Sequence, residues 1–409
     1  MTSRRAGAAP FTRRQAMAAA GAAAVPFAAS PGLAIQPTGV TERKLRVEEV
    51  HLTSVRVSQR TTWMFVHVHT NLGLVGLGEC SVGRRRELPE LQPAFEAARG
   101  RSPFDIEVYR AAGREYAAAG DIVSATAFSA IEQALWDLVG KAVDAPVHLL
   151  TGGRLHDRLP AYANINRATR ERTPEGFAVN ARAAVEDGFT AIKAAPFDGF
   201  PTLDAPTPEV AAATDLGVAC VEAIREAVGP DVDILIDCHS FFDVDLAIDV
   251  ARRLEPQKLA WYEEPVAPTD VAATKAIERG IEQRMAGGEF LFGIEGFAPL
   301  CREQAVDVIM PDVKHCGGLL EARKIAAVAE LDGIAVSPHN PSGPVATAAS
   351  AQLCAALPNF EILEMQWGEA AWRGDLVLPP ERFEDGSIAV PDGAGLGVEL
   401  NDAVVREHA

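Results

Sequence analysis

Six residues with acid, base or metal-binding side chains recur through the C-terminal half at a nearly constant interval. Asp237, Glu263, Glu289, Asp312, His339 and Glu364 are separated by 26, 26, 23, 27 and 25 residues. Each follows a short apolar run, and the interval is about the length of one strand–helix unit, so side chains distant in sequence would converge at one mouth of a parallel barrel. Three carboxylates brought together repel one another unless a cation joins them. Hard oxygen ligands without cysteine or clustered histidine suit Mg²⁺ better than Zn²⁺. The expectation is therefore one Mg²⁺ held by Asp237, Glu263 and Glu289. A single acidic residue at a strand end is as well explained by capping of the next helix, but three in phase are not.

Other groups stand at the same ends. Asp237 and His239 lie two apart, which on a strand puts both on one side and Cys238 on the other. Asp312 and His339 would end neighbouring strands, where the carboxylate can hold one imidazole nitrogen and leave the other as a general base. The alternative is a structural histidine bonded to a loop carbonyl. Lys193 could contact a carboxylate, or act as a base if its pKa is lowered, although a solvent-exposed lysine is the commoner fate of the type. Asn164 ends an earlier apolar run.

The elements that must carry these groups are legible as texture. After Pro160, eight short apolar runs alternate with amphipathic segments: 161–163, 191–193, 233–236, 259–262, 283–286, 306–310, 333–336 and 360–363. Alternating strands and helices imply a parallel sheet, whose closed form is a TIM-like α/β barrel, here (β/α)7β. An open doubly wound sheet is disfavoured because no glycine-rich phosphate loop follows the first strand. Before the barrel, residues 45–83 alternate as two or three antiparallel strands around the turn Asn71-Leu72-Gly73. Ala127, Ile131, Leu135 and Leu138 then share a helical face. The resulting partition is a leader over 1–40, an α+β capping domain over 41–155, the barrel over 156–370 and a C-terminal segment over 371–409.

With 409 residues, 48% of them hydrophobic, the chain can bury more than one core. A formal charge of -18 argues against nucleic acid and anionic membranes as partners. The six cysteines are scattered, so buried thiols are expected rather than disulfides or a zinc site. Arg4, Arg5, Arg13 and Arg14 precede an Ala-rich run from Ala16 to Ala29, with no acidic residue before Glu42. This pattern is similar to a twin-arginine export signal with cleavage near Leu33–Ala34, and implies a periplasmic or exported protein. A basic tail on a cytoplasmic protein is the alternative. The run is too short for a membrane anchor.

Several ordered motifs resemble the enolase superfamily, in its mandelate racemase/muconate lactonizing enzyme group and nearest the galactonate dehydratase type. They are Ala134-Leu135-Trp136-Asp137-Leu138-Val139-Gly140-Lys141 with Leu149-Leu150-Thr151-Gly152-Gly153, Asp237-Cys238-His239, Trp261-Tyr262-Glu263-Glu264-Pro265, Gly287-Gly288-Glu289, Met310-Pro311-Asp312 with Gly317-Gly318, and Ser337-Pro338-His339-Asn340-Pro341. The resemblance covers about residues 45–400. It implies that the N-terminal domain and the tail cap the barrel, with specificity from loops near Gln59–Trp63 and Ser81–Arg86. It also implies that the first Glu of Glu263-Glu264-Pro265 is the ligand and that Glu364 bonds a substrate carboxylate. Lys193-Ala194-Ala195 lacks the second lysine of the K-x-K motif of racemases and lactonising members, and His239 resembles the acid of sugar-acid dehydratases. Both favour dehydration of an acid sugar to a 2-keto-3-deoxy acid over epimerisation, cycloisomerisation or silent binding. A homo-oligomer is the expected assembly.

Overall fold

The computed structural model describes residues 44–409; the export-signal expectation lies outside the described residues. Strands Val47–Arg56, Thr62–Thr70 and Val75–Glu79 form an antiparallel sheet with the second in the middle. That middle strand is apolar on both faces. Met64, Val66 and Val68 pack with Ala127, Ile131 and Leu135 of the long helix Ile122–Val143, while Trp63 and Phe65 join the barrel core. Two faces buried against different partners are the reason the run Trp63–Val66 shows no polar alternation.

The barrel strands are Arg158–Asn164, Ala191–Ala194, Asp233–Asp237, Trp261–Glu263, Met285–Gly287, Val308–Ile309, Ala335–Val336 and Leu363–Gln366, termed strands one to eight. They pair in parallel in chain order, strand eight pairs with strand one, and a bridge between Val336 and Phe360 closes the ring. Seven helices occupy the connections, giving (β/α)7β. Strands four to eight start two or three residues later than the apolar runs, because pairing begins only where the staggered neighbour offers a partner: Leu235 with Trp261, Tyr262 with Met285, Ala286 with Val308, Val308 with Ala335.

Strand alternation divides each strand between two cores. Tyr162, Ala191, Leu235, Trp261, Ala286, Val308 and Met310 fill the barrel interior, whereas Ile192, Ile234, Ile236 and Tyr262 face the helices. All six cysteines are buried and free. Among the described residues no helix is long and apolar enough to cross a membrane.

The N-terminal domain is fastened to the barrel through helix termini. Glu132 accepts from Leu319 N at 2.7 Å and Leu320 N at 3.0 Å, the start of helix Leu319–Leu331. Glu79 likewise accepts from Gly343 N at 2.7 Å and Ala346 N at 2.8 Å, at helix Pro344–Cys354. Neither helix has a side-chain cap from its own N-cap glycine. The orphan amides and the helix dipole therefore stabilise carboxylates from the other domain. Burial still pushes Glu132 up to about 7. Gly318, at φ 89°, is needed twice over: its backbone is left-handed, and a Cβ there would sit 2.1 Å from Glu132 Oε2.

The segment after residue 370 touches both parts. Gly395 N donates to Ala145 O and Leu396 N to Asp137 Oδ1, beside the long helix, while the hairpin Phe383–Glu384/Ser387–Ala389 extends strand one antiparallel. Gly318→Ala is expected to cost about 2 kcal/mol or more, since two buried amides lose their acceptor and the backbone is strained. Urea unfolding measures this, and an unchanged midpoint would show that the Glu132 cap contributes nothing to stability.

Candidate active site

The interior alternation delivers the polar side chains to one mouth. Two residues beyond inward-facing Tyr162, Ala191, Leu235 and Trp261 stand Asn164, Lys193, Asp237 and Glu263, and two beyond Met310 stands Asp312. Glu364 follows Ile362, which packs against the same interior core, by the same step. Glu289 breaks the rule, being three residues after inward-facing Ala286. The correction is made by Gly288, whose φ of 109° turns the chain so that Glu289 faces the others. Glu264, also left-handed at φ 40°, props this turn by accepting from Gly288 N at 2.7 Å and Glu289 N at 3.2 Å.

One oxygen each from Asp237, Glu263 and Glu289 lies within 4.8 Å of the others, all three side chains being buried. The Lys193 ammonium sits among them, 3.0 Å from Asp237 Oδ2 and in contact with Glu263, with Glu364 Oε1 at 3.9 Å. Lys193 is thus buried rather than exposed. Burial opposes its charge, but Asp237 and Glu263 hold it protonated, well above the usual lysine value. Burial, with the charge of Asp237, pushes Glu263 and Glu289 well above the ordinary carboxylate range. Glu289 Oε2 has no hydrogen-bond donor, although His339 Nε2 stands 3.1 Å away. Trp261 Nε1 orients Glu263 through Oε2 at 3.0 Å. Converging hard oxygens, one of them lacking a donor, with a single ammonium among them, fit a divalent cation such as Mg²⁺.

His339 Nδ1 bonds Asp312 Oδ2 at 2.9 Å, leaving Nε2 toward the carboxylates. Although burial opposes it, Lys314 above all, with the hydrogen bond from His339, holds Asp312 ionised well below the usual range. His239 reaches Asp237 Oδ2 through Nε2 at 3.2 Å, but not by strand alternation. Strand three ends at Asp237, and His239 and Ser240 take φ of 45° and 59°, a left-handed turn that folds the imidazole back over its neighbour. Its Nδ1 bonds Asp198. Burial opposes protonation of His239, yet Asp237 and Asp198 raise it to about 9. Strands three and seven face each other across an eight-stranded ring, so His239 and His339 approach from opposite walls.

The cavity between them is about 400 Å³. Asn164, Lys193, Asp237, His239, Glu289 and His339 line it, and Thr61, Trp63, Ser81, Val82, Gly83 and Ile122 complete it from the N-terminal domain. Glu263, Asp312 and Glu364 lie directly behind the wall. Glu364 accepts from Asn164 Nδ2 at 2.6 Å and Asn340 N at 2.8 Å, one bond to each oxygen, and stands behind Asn164 and Lys193. Sequence reasoning missed Asp198, Arg167, Lys314 and His315. Arg167, paired with Glu369 at 3.0 Å, and Asp198 come from loops without a motif. Lys314 and His315 stand in plain view between Asp312 and Gly317, yet their spacing carries no signal of its own.

Residues 38–152 match the family model of the mandelate racemase / muconate lactonizing enzyme N-terminal domain, and 176–404 that of the enolase C-terminal domain-like family. A D-gluconate dehydratase of Thermoproteus tenax is 36% identical, over 84% of this chain and 69% of its own. A D-xylonate dehydratase of Haloferax volcanii is 33% identical, over 92% and 93%. The crystal structure of a mandelate racemase/muconate lactonizing enzyme from Sulfitobacter sp. superposes with a TM-score of 0.80 at 31% identity, covering 89% of this chain and 95% of that one.

Removing partners that merely orient ligands weakens metal sites about 10–100-fold. Glu289→Gln is therefore expected to weaken Mg²⁺ binding by at least about a hundredfold, measured by isothermal titration of the full chain. Equal affinities in the variant and the parent would contradict the ligand assignment.

Proposed function

The chain belongs to the mandelate racemase and muconate lactonizing enzyme group of the enolase superfamily, and on that premise we propose that it is a Mg²⁺-dependent hydro-lyase converting an aldonic acid to its 2-keto-3-deoxy product. The observation that carries the reading is the pair of imidazoles on opposite walls of one cavity, each beside a member of the buried carboxylate cluster. A racemase-type lysine pair is absent, since Ala195 is buried at the second position. Both relatives described above are named as dehydratases of aldonic acids.

Asp237, Glu263 and Glu289 would hold the ion. When bound, Mg²⁺ supplies Lewis-acid stabilisation of the negative charge that builds on the substrate carboxylate. Asp312 keeps the His339 proton on Nδ1, so the lone pair on Nε2 faces the cavity and removes the C2 proton. Lys193, fixed between Asp237 and Glu263, adds positive charge beside the enediolate that results. Glu364 steadies Lys193 and Asn164 from behind. His239, anchored by Asp198, passes a proton to the C3 hydroxyl, which leaves as water. The enol then ketonises to the 2-keto acid.

A positioned acid or base contributes about 10²–10⁴-fold, so charge stabilisation carries most of the rate. Glu263→Gln is expected to abolish turnover more completely than Lys193→Ala, and equal residual rates would contradict that ordering. The functional reading is tested with D-gluconate, D-xylonate and D-galactonate plus Mg²⁺ in D₂O. The parent should release a 2-keto-3-deoxy acid, His239→Asn should exchange the C2 hydrogen without losing water, and His339→Asn should do neither. Return of deuterated, epimerised substrate by the parent would overturn dehydration.

A further inference from the structure

The loop that follows Asp312 is held by a buried polar stripe on the long helix of the N-terminal domain. Ser129 Oγ accepts from Gly317 N at 3.1 Å, Gln133 Nε2 donates to Val313 O at 3.3 Å, and Glu132 caps the helix beyond. One turn nearer the cavity, Thr126 Oγ1 lies 2.8 Å from His315 Nδ1. Thr126 already donates its only hydroxyl proton to Ile122 O at 2.6 Å. Its oxygen can then only accept from His315, which places the ring proton on Nδ1.

This assignment propagates. With its proton on Nδ1, His315 presents a lone pair at Nε2, 3.3 Å from the Lys314 ammonium. Lys314 Nζ in turn lies 3.2 Å from Asp312 Oδ2, the same oxygen that receives His339 Nδ1 at 2.9 Å. Each member of the series Thr126, His315, Lys314, Asp312 and His339 is at most 6% exposed. Burial, reinforced by Lys314, holds His315 neutral, down to about 3. The opposite tautomer would aim an N–H at the ammonium and push Lys314 away from Asp312. No link in the series touches a metal-ligand candidate except His339 itself.

We propose that Thr126, His315 and Lys314 are positioning residues that make the orientation of His339 depend on docking of the N-terminal domain, through one directed chain of buried hydrogen bonds. The proposal rests on His339 being the base in the reading above.

The test uses the full chain with Mg²⁺, labelled with ¹⁵N-histidine, the His339 ring signals being identified by their loss in His339→Asn. Thr126 does not touch His339, yet Thr126→Val is expected to shift the His339 Nδ1–H resonance, and Thr126→Ser to restore it. With whichever of the three aldonates the parent turns over, kcat should fall about tenfold or more in Thr126→Val, with KM within about twofold. Thr126→Ala, smaller at the same position, should reproduce both effects and decides the matter if Thr126→Val does not fold. An unchanged His339 resonance, or an unchanged kcat, in a folded variant overturns the chain. If the parent turns over none of the aldonates, the functional reading fails, and the resonance alone decides the inference.

Discussion

Three buried carboxylates, Asp237, Glu263 and Glu364, surround one ammonium, and a fourth, Glu289, joins Asp237 and Glu263 beside it; keeping this charge out of water shapes the molecule around it. Asp237, Glu263, Glu289 and Glu364 are each at most 3% exposed, and the Lys193 ammonium is buried with them. Burying charge is costly unless it is paired and hydrogen-bonded. Each carboxylate accordingly has a specific partner: Trp261 for Glu263, Asn164 and the Asn340 amide for Glu364, Lys193 and His239 for Asp237. Glu289 has the least, and its Oε2 has no donor. A cluster so arranged favours a divalent cation, and the same excess charge is what that cation would turn toward the chemistry of a substrate carboxylate.

The barrel and the N-terminal domain supply the precision that such a cluster needs. Period-two alternation sends one polar residue per strand into the mouth above an apolar plug, and two left-handed turns, at Gly288 and at His239, re-aim the side chains that alternation alone would misplace. The N-terminal domain contributes both a wall of the cavity and the acidic caps Glu79 and Glu132. Its attachment points are the helices that follow the loops bearing Asp312 and His339. Docking, helix capping and placement of Asp312 and His339 are thus one problem with one solution.

Much of this was legible in the sequence. The repeating interval from Asp237 to Glu364 revealed both the barrel and the convergence of its strand ends, because a strand–helix unit has a narrow range of lengths. The apolar runs marked the strands but not their starts, which depend on the stagger of the neighbour. His239 was expected near Asp237, for a reason the structure replaces: a left-handed turn rather than a continuing strand. Glu364 was expected at the mouth, but its bonds to Asn164 and to the Asn340 amide were not, because no local pattern connects these residues. Asp198, Lys314 and His315 act through tertiary contacts with His239, Asp312 and Thr126, and sequence spacing cannot express those. The polar stripe Thr126–Ser129–Glu132 was overshadowed by the apolar face Ala127–Ile131–Leu135 on the same helix.

The buried carboxylates of Asp237, Glu263 and Glu289 would form one divalent-cation site between His239 and His339. Crystals grown with Mn²⁺ in place of Mg²⁺, examined by anomalous diffraction, test it most directly. A single strong peak ligated by Asp237, Glu263 and Glu289 is expected, with Lys193 displaced from its contact with Glu263. A site without the peak at saturating Mn²⁺, or a peak held by other residues while Lys193 keeps its place, would contradict it.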